Sequence, residues 1–300
     1  MNGSRTFSVD GPVDLRLTLG PLRRGAVDLS MRIEAGGVVW RATRTPEGLA
    51  STRIEARHGR VTVEAWGPGW RWALDASPAL VGADDDERGF APGHPLLQQL
   101  RRRFQGLRVT RSGAVVEALV PTVIEQKVQG VLARRSYARL VRRYGEPAPG
   151  PGGLVAPPSP AVLASLPYHA FHPLGVERRR ADTVRRVATV ARRLEEAAAM
   201  PPPDAQRRLR AVPGVGPWTA AEVALVALGD GDAVSVGDYH LPHQVAFALA
   251  GEPRATDERM LELLEPYCGH RGRVIRLIVA GGPRPPRYGP RLPYMNLAGR

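Results

Sequence analysis

Two rhythms of apolar residues divide the chain. From about Thr6 to Leu80, short runs alternate apolar with polar positions, as in "VDLRLTL", "VDLSMRIEA", "VVWRATR", "RVTVEAW" and "WRWALD", and Gly and Pro separate them. A period of two sets alternate side chains on one face of a strand, so this region is predicted to be an antiparallel sheet. The acidic, turn-rich segment "ALVGADDDERGFAPGHP" (79–95) follows, and beyond it the period changes. In "HPLLQQLRRRF", "VPTVIEQKVQGVLARRSYARLVRRYG", "SPAVLASL", "ERRRADTVRRVATVARRLEEA" and "DAQRRLRAV", apolar residues recur three and four apart, the spacing of amphipathic helices. Between them "GEPAPGPGGLVAPPSP" (145–160) reads as a Pro/Gly loop. The expected fold class is α+β, with an N-terminal antiparallel β-rich domain over 1–90 followed by an all-α domain over 91–282. A Pro/Arg-rich tail over 283–300 has too few apolar residues for a helix and is expected to be extended.

Charge adds a partner to this picture. The 42 Lys and Arg against 29 Asp and Glu give a net charge of +13, more than solubility requires, which points to a polyanion such as nucleic acid. GC-rich codon usage is a competing account, because Arg is used almost to the exclusion of Lys, with Lys127 the single exception. One cysteine, Cys268, allows neither an internal disulfide nor a four-cysteine zinc or iron–sulfur site within the chain. The segment "MNGSRTFSVDGPVDLRL" has no apolar stretch typical of a secretion signal, and no 18 apolar residues run together, so a cytoplasmic protein that does not enter a membrane is expected.

The run "DAQRRLRAVPGVGPWTAAEVALVALG" (204–229) reads as helix, tight hairpin, helix. Gly214 and Gly216 are free to take positive φ and carry no side chain to hold off an approaching backbone. Pro217 suits the first turn of the second helix, whose free amides and positive dipole end attract phosphate. A GxG between helices also serves ordinary turns. Asp238 stands 22 residues after Gly216, past one helix and the turn "GDGDAVSVG". It is placed either as a reactive carboxylate or as the cap of a following helix.

Hairpin, "PWTA" and "VGDYH" together resemble the helix-hairpin-helix Gly/Pro-Asp superfamily of DNA glycosylases, in particular its 3-methyladenine DNA glycosylase II branch. The likeness runs over roughly 90–280, with "IEQKV" (124–128) and "LGVERRRADTV" (174–184) where that family has helix signatures. The resemblance implies a helix-hairpin-helix glycosylase domain in which Asp238 is the catalytic carboxylate. It implies that Trp218 lines the base pocket, at a position where members with lyase activity carry a lysine. Glu222, one helical turn on, replaces an aromatic of the branch and opens the substrate to question. Gly214, Val215, Gly216 and Thr219 would hold the DNA backbone, with Gln126 and Lys127 at the wedge that fills the gap left by a flipped nucleotide. The resemblance further implies a monovalent Na+ or K+ on the backbone carbonyls of Arg210, Val212 and Val215, with no organic cofactor and no iron–sulfur cluster.

The loop "LPYHAFHPLG" (166–175) offers Tyr168 and Phe171 to the pocket. Two His-x-x-His spacings, His169 with His172 and His240 with His243, carry the idea of a metal site that Asp238 could join, although the family chemistry is metal-free. Trp218 has core packing, and Glu222 a solvated helix face, as its alternative. The favoured reading is a monomeric, monofunctional enzyme of base excision repair, in the cytoplasm and on the nucleoid of a bacterium. Its substrate is double-stranded DNA with an alkylated or otherwise modified purine, whose N-glycosidic bond it hydrolyses. Two others stay open, a non-catalytic DNA-binding or damage-sensing protein, and a glycosylase with lyase activity through Lys127.

Overall fold

The computed structural model describes residues 1–286, so the tail expected over 283–300 lies almost wholly outside the described residues. Strands β1 (Asn2–Ser8), β2 (Met31–Ile33), β3 (Val39–Thr45), β4 (Gly48–Arg57) and β5 (Arg60–Trp66) form one antiparallel sheet in the order β1-β5-β4-β3-β2. The register sets Val39 opposite Ile54 and Ile54 opposite Val63. All three are fully buried, so one row of β-branched side chains crosses the sheet and anchors its core.

Two of the predicted strands are helices. In "VDLRLTL" the Asp14 carboxylate accepts the amides of Arg16 and Leu17 at 2.9 and 3.0 Å, and this cap starts a helix over Leu15–Leu19. "WRWALD" is the helix Trp70–Asp75, packed on β1, β4 and β5. The sheet instead gains β1 and β4, two strands with little apolar alternation. The buried centre of β4 is Ala50, Ser51 and Thr52, which a hydrophobicity pattern does not register.

The longer helices are α1 (Pro95–Arg103), α2 (Val115–Glu125), α3 (Gly130–Tyr144), α4 (Arg178–Thr189), α5 (Pro202–Arg210), α6 (Pro217–Val223), α7 (Leu241–Ala250), α8 (Asp257–Leu264) and α9 (Arg271–Gly281). They bury two separate cores. The larger surrounds α2, whose Val115, Leu119, Val123 and Ile124 are fully buried, and it includes residues of α3, α4, α5 and α6. The second joins α1 to the distant α7, α8 and α9 through Leu97, Leu100, Val245, Met260, Leu264 and Ile278.

The helical region also holds a two-stranded ribbon, β6 (Glu146–Pro147) with β7 (Val155–Ala156), inside the segment expected to be a loop, so it is not all-α. Leu154 and Ala156 of this ribbon pack on Ala42, against the partly buried Trp40, whose ring stacks on Trp66 at 5.7 Å. Polar staples bind the sheet to the helices. Glu117 of α2 meets Arg41 at 2.7 Å, and Arg273 of α9 meets Asp85 at 2.5 Å with both side chains almost fully buried. Arg276 donates to the carbonyls of Leu17 and Arg108, and burial pulls its guanidinium down to about 10.

Candidate active site

α5, the turn 211–216 and α6 make the predicted hairpin. Its two glycines differ in role. Gly214 has φ +99° and sits against α4, where a Cβ would fall 2.2 Å from Thr183 Oγ1, so both backbone and packing demand glycine there. Gly216 has φ −92°, which any residue adopts, and a Cβ there would meet nothing within 4 Å. The Val212 carbonyl accepts the Val215 N–H at 2.9 Å and keeps a second lone pair.

The turn expected to carry the wedge is welded to this hairpin. α2 stops at Glu125 rather than running on, and Gln126 Nε2 donates to Gly214 O at 2.9 Å and to Thr219 Oγ1 at 2.8 Å. Lys127 projects beside it, exposed, with φ +53°, one of two described non-glycine residues with positive φ. Arg180 of α4 is 2% exposed and donates to Ile124 O at 2.7 Å, the carbonyl just before this turn.

Asp238 lies on the α6 side of the same structure. One carboxylate oxygen accepts the indole N–H of Trp218 at 3.0 Å, and the other accepts the amides of His240 and Leu241 at 2.8 and 2.9 Å. Asp238 is thus the cap of α7, and its second oxygen is turned to Trp218. Its orientation is fixed from both sides while the residue stays partly exposed. Tyr239 follows directly and is 80% exposed, with its ring edge-on to His240 and His243.

Glu222 stands one turn after Trp218 and is partly buried, not on a solvated face. It accepts a short hydrogen bond from Ser235 Oγ. Burial is the main influence on its carboxyl and pushes it up, the charges of Asp238 and Glu125 add to this, and the Ser235 bond and Arg24 oppose it. Arg24 enters from the sheet domain, meets Glu125 at 3.2 Å and reaches Thr122 Oγ1 at 3.4 Å. Three carboxylates and one guanidinium thus lie near one another beside Trp218.

This arrangement has a measurable consequence for stability. Below pH 4.5 the Glu222 carboxyl is protonated in the folded and the unfolded chain alike, and its full contribution to stability is present. As pH rises the unfolded chain releases the proton first, so stability falls until the folded carboxyl also ionises. Glu222→Gln is expected to abolish this loss and to be more stable than the parent at neutral pH. Urea midpoints of both proteins from pH 4 to pH 8 check it, and parallel curves would contradict the assignment.

Other expected site residues are elsewhere. Phe171 is fully buried in the larger core and has no surface to offer a base, because the supposed loop forms the short helix Tyr168–Phe171 that turns it inward. Tyr168 is half-buried on that core and pairs with His172 and Arg178, not with Trp218 or Asp238. No group of three His, Cys, Asp or Glu able to hold a metal ion occurs among the described residues, and His243 Nδ1 is taken by the Ala255 N–H at 3.1 Å. Sequence reasoning missed Arg24, Glu125 and Ser235 as neighbours of the site. Only Ser235, a hydroxyl in the apolar run "AVSVG", left a local signal.

No protein-family model matches the chain. A protein of Mycobacterium tuberculosis described as a "probable bifunctional transcriptional activator/DNA repair enzyme AlkA" is 32% identical over 174 residues, 56% of this chain and 33% of that protein. The chain therefore spans about a third of that relative's length. A 3-methyladenine DNA glycosylase structure from Archaeoglobus fulgidus superposes with a TM-score of 0.77 over 92% of this chain and 97% of that one, at 20% identity, which establishes the shared fold. The chain is similar in sequence to that DNA repair protein over the matched 174 residues and shares the fold of the Archaeoglobus glycosylase over most of its length.

An 8-oxoguanine glycosylase/lyase from Clostridium acetobutylicum also superposes, with a TM-score of 0.71 over 92% of this chain and 95% of that one at 13% identity, and so shares the fold. In this chain α6 carries Trp218, and the single lysine, Lys127, stands in the turn after α2.

Proposed function

We propose that the protein is a monofunctional DNA N-glycosylase of base excision repair, acting as a monomer on double-stranded DNA that carries an alkylated or otherwise modified purine. The Asp238 carboxylate, held between the Trp218 indole and the first amides of α7, carries this reading. As the C1′–N bond of a flipped nucleotide breaks, the bonding pair leaves with the base and the sugar gains oxocarbenium character. A fixed carboxylate beside C1′ stabilises that charge and orients a water, whose oxygen bonds to C1′ as its proton is lost. The products are the free base and an abasic site.

The Trp218 face is suited to stacking on the extruded base. Gly216 supports the backbone contact, because the room left by its missing side chain is not filled by the protein and is open to a phosphate approaching the α6 amides. The neutral carbonyls of Arg210, Val212 and Val215 suit a hard monovalent ion, which would add positive charge at that point. Hydrolysis needs water alone, so no organic cofactor is called on. Among the described residues no helix is long and apolar enough to cross a membrane.

The test is a panel of oligonucleotides with single lesions, alkylated, deaminated and oxidised, incubated with the protein and analysed with and without hot alkali. Strand breaks that need alkali are expected, with Lys127→Ala as active as the parent. Breaks without alkali, with borohydride trapping lost in Lys127→Ala, would move the assignment to the lyase class. Tight binding without release on every lesion would make it a damage sensor.

A further inference from the structure

Helix α4 presents five arginines, and the structure sorts them. Arg178 and Arg185 both lie near Asp182, at 3.8 and 3.7 Å, and Arg180 is buried. Arg179 and Arg186 remain, both exposed and both without a carboxylate within salt-bridge distance among the described residues. At about 100° per residue, positions 179, 183 and 186 fall within roughly 60° of one another on the helix. Thr183 is the residue seated against Gly214, so this stripe of α4 abuts the hairpin. Arg186 Nη1 also lies 3.4 Å from Pro213 O, which keeps its guanidinium over the turn with most of its donors unspent.

From this placement we infer that Arg179 and Arg186 form a phosphate clamp continuous with the hairpin, taking the sugar–phosphate backbone of a DNA strand on either side of the phosphate held at Gly214–Gly216. The inference rests on the DNA reading above. Seven residues of helix separate the two arginines by about 10 Å along the axis, close to three nucleotide rises of about 3.4 Å. Two unpaired guanidiniums at that spacing match a repeating anion, whereas Arg178 and Arg185 share the carboxylate of Asp182. The clamp holds the duplex in register and reads no base.

Salt dependence isolates it. Each phosphate contact contributes about 0.9 to the slope of log affinity against log salt, so Arg179→Ala/Arg186→Ala is expected to reduce the slope by about 1.8. A fourfold rise in salt then costs the double variant about 12-fold less affinity than it costs the parent. The loss should be equal on undamaged duplex and on duplex with an abasic analogue, and single-turnover release at saturating protein should be unchanged. Arg178→Ala/Arg185→Ala, the pair that shares Asp182 and lies off the Thr183 stripe, should keep the parental slope. An unchanged slope in Arg179→Ala/Arg186→Ala, or an equal fall in the control pair, overturns the clamp while the DNA reading stands. A parent protein that shows no salt-dependent binding to either duplex overturns the DNA reading and the clamp with it.

Discussion

Asp238→Asn is expected to fold and to bind lesion DNA while releasing base about 1,000-fold more slowly than the parent. The factor is that of removing one fixed electrostatic stabiliser from a developing charge. The amide has the shape of the acid, and its oxygen can still accept the His240 and Leu241 amides that start α7. Its NH2 then faces the Trp218 indole N–H, two donors where there was a donor and an acceptor, at a cost of about 1 kcal/mol in stability. The two effects are separable. Single-turnover release on a 7-methylguanine duplex reads the chemistry, affinity for an abasic analogue reads binding, and a urea midpoint reads the cap. Release within tenfold of the parent would remove Asp238 from the reaction and leave it a helix cap alone.

Glu117→Ala is expected to destabilise the protein by about 3–5 kcal/mol. Glu117 receives Arg41 at 2.7 Å and the Thr43 hydroxyl at 2.7 Å across the junction of sheet and helices, and the Arg41 side chain is only 5% exposed. Truncating the acid leaves a guanidinium in a place where water cannot solvate it. Replacing both partners, Arg41→Met with Glu117→Leu, removes the stranded charge and is expected to restore most of the loss. Denaturant midpoints of the parent, the single variant and the pair decide it. A single variant within 1 kcal/mol of the parent would show that the staple contributes little.

What could be read from the chain depended on how local the cause was. The hairpin was legible because Gly214 and Pro217 state their backbone demands within four residues of sequence. Asp238 was legible through spacing, but its bond to Trp218 was not, since it depends on where α7 starts and how α6 is turned. "VDLRLTL" alternates as well as any strand, yet the Asp14 cap selects the helix, and alternation over so few residues cannot register that choice. Phe171 misled for a related reason. An aromatic between His and Pro residues reads as exposed, and one short turn of helix is enough to reverse it. Arg24 and Glu125 are about a hundred positions apart in the chain and meet only because the sheet domain lies against α2, which no periodicity expresses.

The two helical cores lend the site a mechanical character. The chain leaves the larger core at Ala233 and joins the second beside Val234, and the crossing is pinned where Asp232 pairs with Arg271 at the start of α9. Trp218 belongs to a helix of the first body and Asp238 introduces a helix of the second, so their hydrogen bond spans a seam between separately stabilised blocks. A slight tilt of one block against the other would draw the carboxylate away from its aromatic wall without disturbing either interior. Substitutions around Met260 or Leu264, in the interior of the second core, therefore become tuning points for the Trp218–Asp238 contact.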